Sequence, residues 1–416
     1  MKEFKKVIKQ LDNFYVGFLV GMILMAFTAV IVMNLNGTLQ KDIDRTSIKE
    51  DGSESVTQSD IEAKIQTLED YIDTYYLNEV QKSELANGIY RGLVDSLGDV
   101  YSTYYTAEEY ADMTEKSDGE YCGIGAVMSQ AASTGVVTII QVYEDSPAMK
   151  GGMLPGDMLC GVEGKEIAGM DLSSIVALVK GEEGTKVSID VIHQGDEKES
   201  TLVMERAKIE VPTVAHEMLK NDIGYVQVTA FDKVTVEQFK EAVEDLEQQG
   251  EKGLIIDLRD NGGGLLTSVI DMLDYMLPEG LLMYTETKYG RDAEYYSTDD
   301  EQFTKPLVIL INGNTASASE VFTGAIQDYN AGTVVGTTSF GKGIVQSVMP
   351  LRDGSAIKLT TSKYFTPEGR NIHGTGLEPD VVVELDEKLQ KKIVITQKED
   401  NQLQAAIAEM HKLIGE

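Results

Sequence analysis

The chain is short of histidine, cysteine and basic residues, and each shortage removes a class of function. Its four histidines are His193, His216, His373 and His411. Only His216-Glu217 begins a zinc-peptidase motif, and the second histidine of H-E-x-x-H is missing, so a zinc peptidase is not expected. None of the four lies in a segment that carries other chemistry, which makes a Ser-His-Asp triad the weaker nucleophile scheme. The two cysteines, Cys122 and Cys160, fall in one β-rich segment, where they form either a disulfide or a pair of buried thiols. Lys and Arg number 36 against 69 Asp and Glu, a net charge of -33. That field repels nucleic-acid phosphates and anionic lipid headgroups, so a nucleic-acid partner is excluded.

What is present describes a globular chain of two or three domains: 416 residues, 42% hydrophobic and 25% charged. One long uncharged run stands apart, the 20 residues 14–33. It is long enough to cross a bilayer as a helix, and Lys2, Lys5, Lys6 and Lys9 before it set the amino terminus inside. The expectation is a retained single-pass anchor in the cytoplasmic membrane with everything after about residue 34 outside. A cleaved signal peptide is the rival, although no clear small-x-small site follows. The polar stretch 37–58 then reads as a linker.

Beyond it the texture changes three times. Residues 59–118 show helical spacing at Ile61, Ile65, Leu68 and Ile72, then Leu85, Ile89, Leu93 and Leu97, with Gly98-Asp99 as a stop. Residues 119–206 are short apolar strands broken by glycine and proline, with a helix near 171–179. From 207 to 385 strands and helices alternate, which argues for an α/β core, and 386–416 closes with a helical segment.

Chemistry is concentrated in the run Asn314-Thr315-Ala316-Ser317-Ala318-Ser319-Glu320 and in Phe340-Gly341-Lys342-Gly343-Ile344-Val345-Gln346. Ser317 follows an apolar strand and opens an amphipathic helix, a junction that exposes a hydroxyl. Lys342 lies between two glycines, where it can approach another backbone closely and lose water, and desolvation lowers a lysine pKa toward the range of a general base. Each residue has a plainer reading. Ser317 and Glu320 have capping-box spacing. Gly336 to Lys342 is one residue short of a phosphate-binding loop, but Gly343 replaces the required Ser or Thr and a strand follows. The run Gly262-Gly263-Gly264 between a strand and a helix is either a tight turn or a cradle of N–H groups for negative charge.

Taken in order, Asp257-Leu258-Arg259-Asp260-Asn261-Gly262-Gly263-Gly264, Ser317-Ala318-Ser319-Glu320 and Phe340 to Gln346 resemble the carboxyl-terminal processing proteases, or tail-specific proteases, serine peptidases with an inserted PDZ domain. The resemblance spans about residues 59–385. It implies Ser317 as nucleophile, Lys342 as base and Gln346 as the residue that orients the amine. It also implies a ClpP- and crotonase-like peptidase core over 207–385. Relatives often have proline at Gly262, which has no N–H, so Gly263 and Ala318 are the implied oxyanion donors. Residues 119–206 resemble the PDZ domain, with Gly123, Ile124, Gly125 and Ala126 as the nest for a peptide carboxylate. Leu154 departs from the basic residue that relatives often carry. The implied chemistry is acyl transfer without metal, nucleotide or other cofactor, on protein or peptide substrates with flexible tails. Homologues use the helical segment for dimer contacts, which makes a homodimer the expected assembly. A PDZ scaffold that binds tails without cutting them is the alternative.

Overall fold

The computed structural model describes residues 56–196, 198–298, 302–392 and 394–415. The chain divides into two compact units, Met1–Ala86 and Asn87–Glu416. In the first, Thr57 and Asp60 form a reciprocal capping box that starts the helix Gln58–Tyr75. The apolar stripe of that helix stays at the surface of the single chain, with Ile61 and Leu68 about half exposed.

The membrane-spanning helix expected over 14–33 lies outside the described residues. Among the described residues no helix is long and apolar enough to cross a membrane. Gln58–Tyr75 has the length, 18 residues, but carries Asp60, Glu62, Lys64, Glu69, Asp70 and Asp73, and charges at bilayer depth oppose insertion. The expected fold, with its single transmembrane helix, is therefore corrected to a mixed α/β fold with no membrane-spanning helix among the described residues, and the single-pass location that rested on that helix is withdrawn with it.

In the second unit a six-stranded sheet runs in the order Val214–Leu219, Ile223–Val228, Gly253–Asp257, Leu307–Ile311, Thr333–Gly336, Val381–Val382. The first pair is antiparallel and the rest are parallel. Its central strands, Gly-Leu-Ile-Ile-Asp and Leu-Val-Ile-Leu-Ile, are buried at every position, as expected for parallel strands covered on both faces. One face carries the helices Thr235–Gln249, Leu266–Met276 and Ala318–Asp328, packed through Phe239, Val243, Met272, Phe322 and Ile326. On the other face Leu403, Ala406 and Met410 of the helix Asn401–Ile414 pack on Ile223, Ile255, Val308, Leu310 and Val335. The terminal helical segment is thus a full layer of the fold. Gly253 makes that approach possible, since a β-carbon there would meet the Met410 sulfur at 2.4 Å.

A second sheet is antiparallel: Thr103–Tyr105, Ala356–Phe365, Gly280–Thr287 and Gly290–Ser297, with Ile344–Pro350 also paired to Ala356–Phe365. The β-rich insert forms its own sheet, Ala126–Gln130, Val137–Val142, Met158–Val162, Lys186–Ile192 and Glu199–Glu205, around a core that includes Ile139, Ile175 and Ile189. Its helix Leu172–Val179 is capped by Asp171. The ribbon Glu120–Gly123 with Ala207–Glu210 closes the two ends of the insert. Cys122 and Cys160 are both free thiols, and burial pushes the Cys160 thiol up.

Candidate active site

Parallel strands present their carboxyl ends together, and loops leaving those ends are where open α/β sheets gather chemistry. Gly253–Asp257 and Leu307–Ile311 are neighbours, so the loops 258–265 and 312–317 meet. Backbone groups join them: Ala316 N–H donates to Asn261 O at 3.0 Å, and Ser319 Oγ donates to the same oxygen at 3.1 Å. The Thr315 hydroxyl donates to Leu258 O at 2.8 Å, and Asn314 Nδ2 donates to Asp260 Oδ1, also at 2.8 Å. A β-carbon at Gly263 would lie 2.8 Å from both Ala318 N and Ser317 Cβ, so only glycine lets this loop lie against the serine.

Ser317 itself sits at φ 57, ψ -116, a conformation that a residue with a side chain adopts at a cost of about 1–3 kcal/mol. The cost is offset by what surrounds it. Ser317 N–H donates to Glu320 Oε2 at 2.9 Å, and Ser317 O accepts from Glu320 N–H at 2.8 Å and Val321 N–H at 3.0 Å. The result is a sharp strand-to-helix turn that lifts a half-buried hydroxyl at the start of Ala318–Asp328.

Glu320 does more than close a capping box. Fully buried, its carboxylate accepts Ser317 N–H and Lys342 N–H on Oε2, and Gly341 N–H and the Ser339 hydroxyl on Oε1. One carboxylate therefore ties the serine loop to the lysine loop. Capping-box spacing was the only sequence signal for it, and that pattern is silent about residues 22 positions away.

The glycines around Lys342 act as their sequence setting implies. A β-carbon at Gly341 would meet Gly376 N at 2.8 Å, and one at Gly343 would meet His373 N at 2.6 Å. The lysine is consequently half-buried, and its pKa is lowered, first by burial and then by Lys358, against the opposing pull of Glu320 and Asp99. In this structure Lys342 makes no hydrogen bond to Ser317. Its Nζ lies 4.8 Å from the centroid of the Tyr101 ring. Gln346 follows a register shift in Ile344–Pro350, and its Nε2 donates to Thr360 Oγ1 at 3.3 Å rather than contacting the lysine. The structure gathers Ser317, Gly263, Ala318 and Lys342 around one place and leaves the serine and lysine side chains apart.

Of the two implied oxyanion donors, Ala318 N–H has no hydrogen-bond partner among the described residues, whereas Gly263 N–H donates to Asn261 Oδ1 at 2.8 Å. Gly262 is exposed and has open space where a β-carbon would stand.

Behind the site lies an ionic cluster that the sequence reading missed. Arg259 bonds Asp257 at 2.6 Å and Asp400, the N-cap of the last helix, at 2.8 Å, and Tyr225 donates to Asp257 at 2.8 Å. Burial opposes the guanidinium charge, but the two carboxylates outweigh it and raise its pKa. Charged residues at the end of an otherwise apolar strand were the available signal. The partner at position 400 was not.

In the insert, Gly123, Ile124, Gly125 and Ala126 join the closing ribbon to the first strand of the sheet, with Gly125 at φ 79. The Tyr121 ring packs on Gly123 and shares a cavity of about 110 Å³ with Ile124, Met128, Val176, Val179 and Lys180. Burial, then Tyr143, pushes the Tyr121 phenol up to about 12 against the Gly125 and Ala126 N–H groups. Leu154 is exposed, and its N–H donates to Asp157.

Comparison with known proteins now fixes the family. Residues 222–383 match Peptidase family S41, residues 138–192 a PDZ domain, and residues 22–109 the N-terminal domain of the activating protease CtpB. The carboxy-terminal processing protease CtpA of Bacillus subtilis is 33% identical over 91% of this chain and 78% of its own length. The chain belongs to the carboxy-terminal processing proteases of family S41. CtpB of the same organism is 33% identical over 77% of this chain and 67% of its own length. Among solved structures, a photosystem II D1 C-terminal processing protease is 27% identical over 77% of this chain and 86% of that one, with a TM-score of 0.46. Membership makes this protein a serine-type protease with a PDZ domain.

Proposed function

We propose that the protein is a serine endopeptidase that cuts the carboxy-terminal regions of protein substrates, with Ser317 as nucleophile, Lys342 as general base and Gln346 as the residue that orients the amine. The observation that carries this reading is the Glu320 carboxylate, which holds the backbone N–H groups of Ser317 and Lys342 on one oxygen atom. Both side chains thus leave backbone positions fixed on either side of that atom. Neutral Lys342 takes the proton from Ser317 Oγ as that oxygen attacks the peptide carbonyl, and the leaving amine receives the proton from the lysine. Water then releases the acyl group. Ala318 N–H is available for the oxyanion, and Gly263 N–H joins it once Asn261 Oδ1 lets go, with Gly262 N–H as the competing donor. The nest Gly123–Ala126 holds the substrate's terminal carboxylate while the tail adds as a strand. Self-association through the exposed stripe of Gln58–Tyr75 belongs to the same reading.

A non-cutting tail-binding scaffold is favoured by one observation, the missing Ser317–Lys342 hydrogen bond. Labelling by a serine-directed fluorophosphonate separates the two. Labelling of wild type that is lost in Ser317→Ala and in Lys342→Arg supports the peptidase; an unlabelled wild type, or equal labelling of Lys342→Arg, refutes the assignment. Arginine keeps the charge but does not deprotonate, so it is expected to be as inactive as Lys342→Ala. Because the lysine must be neutral and its pKa is lowered, the acylation rate should rise with pH along a limb below the ordinary lysine value of 10.5.

A further inference from the structure

The lysine amine lies over a ring from a turn that none of the site motifs includes. Residues 99–102 link the helix Lys82–Asp95 to the strand Thr103–Tyr105. Asp99 closes this turn on itself, accepting Tyr101 N–H at 3.0 Å and the Ser102 hydroxyl at 2.6 Å. Ser102 is buried, and its Oγ accepts Thr360 N–H at 3.0 Å, while the Thr360 hydroxyl accepts from Gln346. Pairing of Thr103 with Lys358 and of Tyr105 with Ala356 fixes the turn against the same strand. The Tyr101 ring is therefore placed by the backbone and does not simply drift over Lys342 Nζ at 4.8 Å. Tyr105 meets a different lysine, with Lys358 Nζ 5.3 Å from its ring centroid.

An aromatic face attracts an ammonium and not a neutral amine. The geometry points to Tyr101 as a positioning residue for Lys342: its ring, set by the Asp99–Ser102 turn, is the resting seat of the protonated lysine, which the amine leaves when it loses its proton and turns to Ser317. The inference rests on the reading of Lys342 as base. The charged and titratable groups facing the amine are Tyr101 and Asp99 from the turn, Glu320 from the serine helix and Lys358 from the neighbouring strand. Tyr101, Asp99 and Glu320 favour the ammonium and Lys358 opposes it. Removing the ring face should therefore make the lysine easier to deprotonate.

The test measures the reactivity of the Lys342 amine toward an acylating reagent across pH, read by peptide mass spectrometry in the full chain. This readout holds whether or not Lys342 is catalytic. In Tyr101→Leu the labelling midpoint is expected to fall by about half a pH unit, the lower part of the range for a cation over a ring. Tyr101→Phe keeps the face and should match wild type, and Tyr105→Leu, whose ring seats Lys358, should also leave the midpoint in place. Asp99→Asn gives a second variant, expected to lower the midpoint as well, should the leucine variant fold poorly. An unchanged or raised midpoint in a folded Tyr101→Leu, whatever Asp99→Asn does, or an equal shift in Tyr101→Phe and Tyr101→Leu, would overturn the inference. The pH limb of ester acylation, measured in parallel, should move with the labelling midpoint. A labelling shift without a matching limb would keep the seat and refute the role of Lys342 as base.

Discussion

Replacing Glu320 by glutamine tests whether one buried carboxylate assembles the site. The change keeps shape and removes charge. A carboxylate accepts on both oxygens, and here each oxygen receives two donors: Ser317 N–H and Lys342 N–H on one, Gly341 N–H and Ser339 Oγ–H on the other. A glutamine amide accepts on one side only and presents N–H groups on the other, so two backbone or hydroxyl donors lose their acceptor whichever way it turns. Hydrogen bonds to a charged group contribute about 1.5–3 kcal/mol each, and donors left buried without a partner cost about 1–3 kcal/mol each. The expected destabilisation is about 2–5 kcal/mol, a sizeable part of the roughly 5–15 kcal/mol that holds a domain folded. Calorimetry or denaturant unfolding reads that loss, and fluorophosphonate labelling reads the site. Labelling should fall further than the unfolded fraction explains, because the freed Ser317 N–H and Lys342 N–H belong to the two loops that must face each other. A Glu320→Gln protein with wild-type stability and wild-type labelling would refute the reasoning.

Three further outcomes follow from other parts of the structure. Ser317→Gly removes the proposed nucleophile together with the strain of a side chain at φ 57, so it should be inactive yet more stable than Ser317→Ala by about 1 kcal/mol, read by thermal unfolding; a glycine variant no more stable than alanine would count against strain at this turn. Asp400 has its pKa lowered, with burial opposed by the stronger effect of Arg259 and the helix N–H groups; its contribution is present above the unfolded carboxyl value of 3.8 and lost as pH falls through the folded one. Asp400→Asn should therefore be less stable than wild type at neutral pH, with the gap closing below about pH 4 in acid titrations followed by circular dichroism. At Gly125 a β-carbon would lie 2.4 Å from Ser146 Cβ, so Gly125→Ala should weaken binding of a free-carboxylate tail peptide in calorimetry while leaving fluorophosphonate labelling intact; undiminished tail binding would remove the nest from the proposal.

The legible parts of this protein are those in which local chemistry and spacing do the specifying. The apolar runs in the strands Gly253–Asp257 and Leu307–Ile311 announce a covered parallel sheet, and the Asp171 cap and apolar spacing announce Leu172–Val179. Lys342 between glycines signals close packing, and Gly376 and His373 supply the backbone that it predicts. Long-range partners left no such trace. The pairing of Thr103–Tyr105 with Ala356–Phe365 joins segments some 250 residues apart, and nothing in the periodicity of either names the other. Uncharged length over 14–33 suggests a membrane span, but that run lies outside the described residues, among which no helix is long and apolar enough to cross a membrane.

That distribution has a physical reason at the site itself. Ser317, Lys342 and Gln346 are short motifs because their chemistry needs particular side chains, but their arrangement depends on groups whose role is set by who arrives beside them. Glu320 serves as an N-terminal cap partner in its own helix and becomes the clamp between two loops only because the N–H groups of Gly341 and Lys342 arrive beside it, in a loop whose glycines pack closely on the backbone of residues 373–376. Thr360 is an ordinary strand threonine that becomes a junction because Gln346 donates to its hydroxyl while its own N–H goes to Ser102. The same strand thereby holds Gln346 on one side and the Tyr101 turn on the other, so a shift in the pairing of Thr103–Tyr105 would be felt at Gln346 and at the lysine amine together. The serine loop has further ties of its own, through Asn261, Thr315 and Ser319, in addition to the Glu320 clamp. The proposed nucleophile thus stands on a loop tied by several hydrogen bonds, and the turn whose ring lies under the Lys342 amine belongs to the segment preceding the insert.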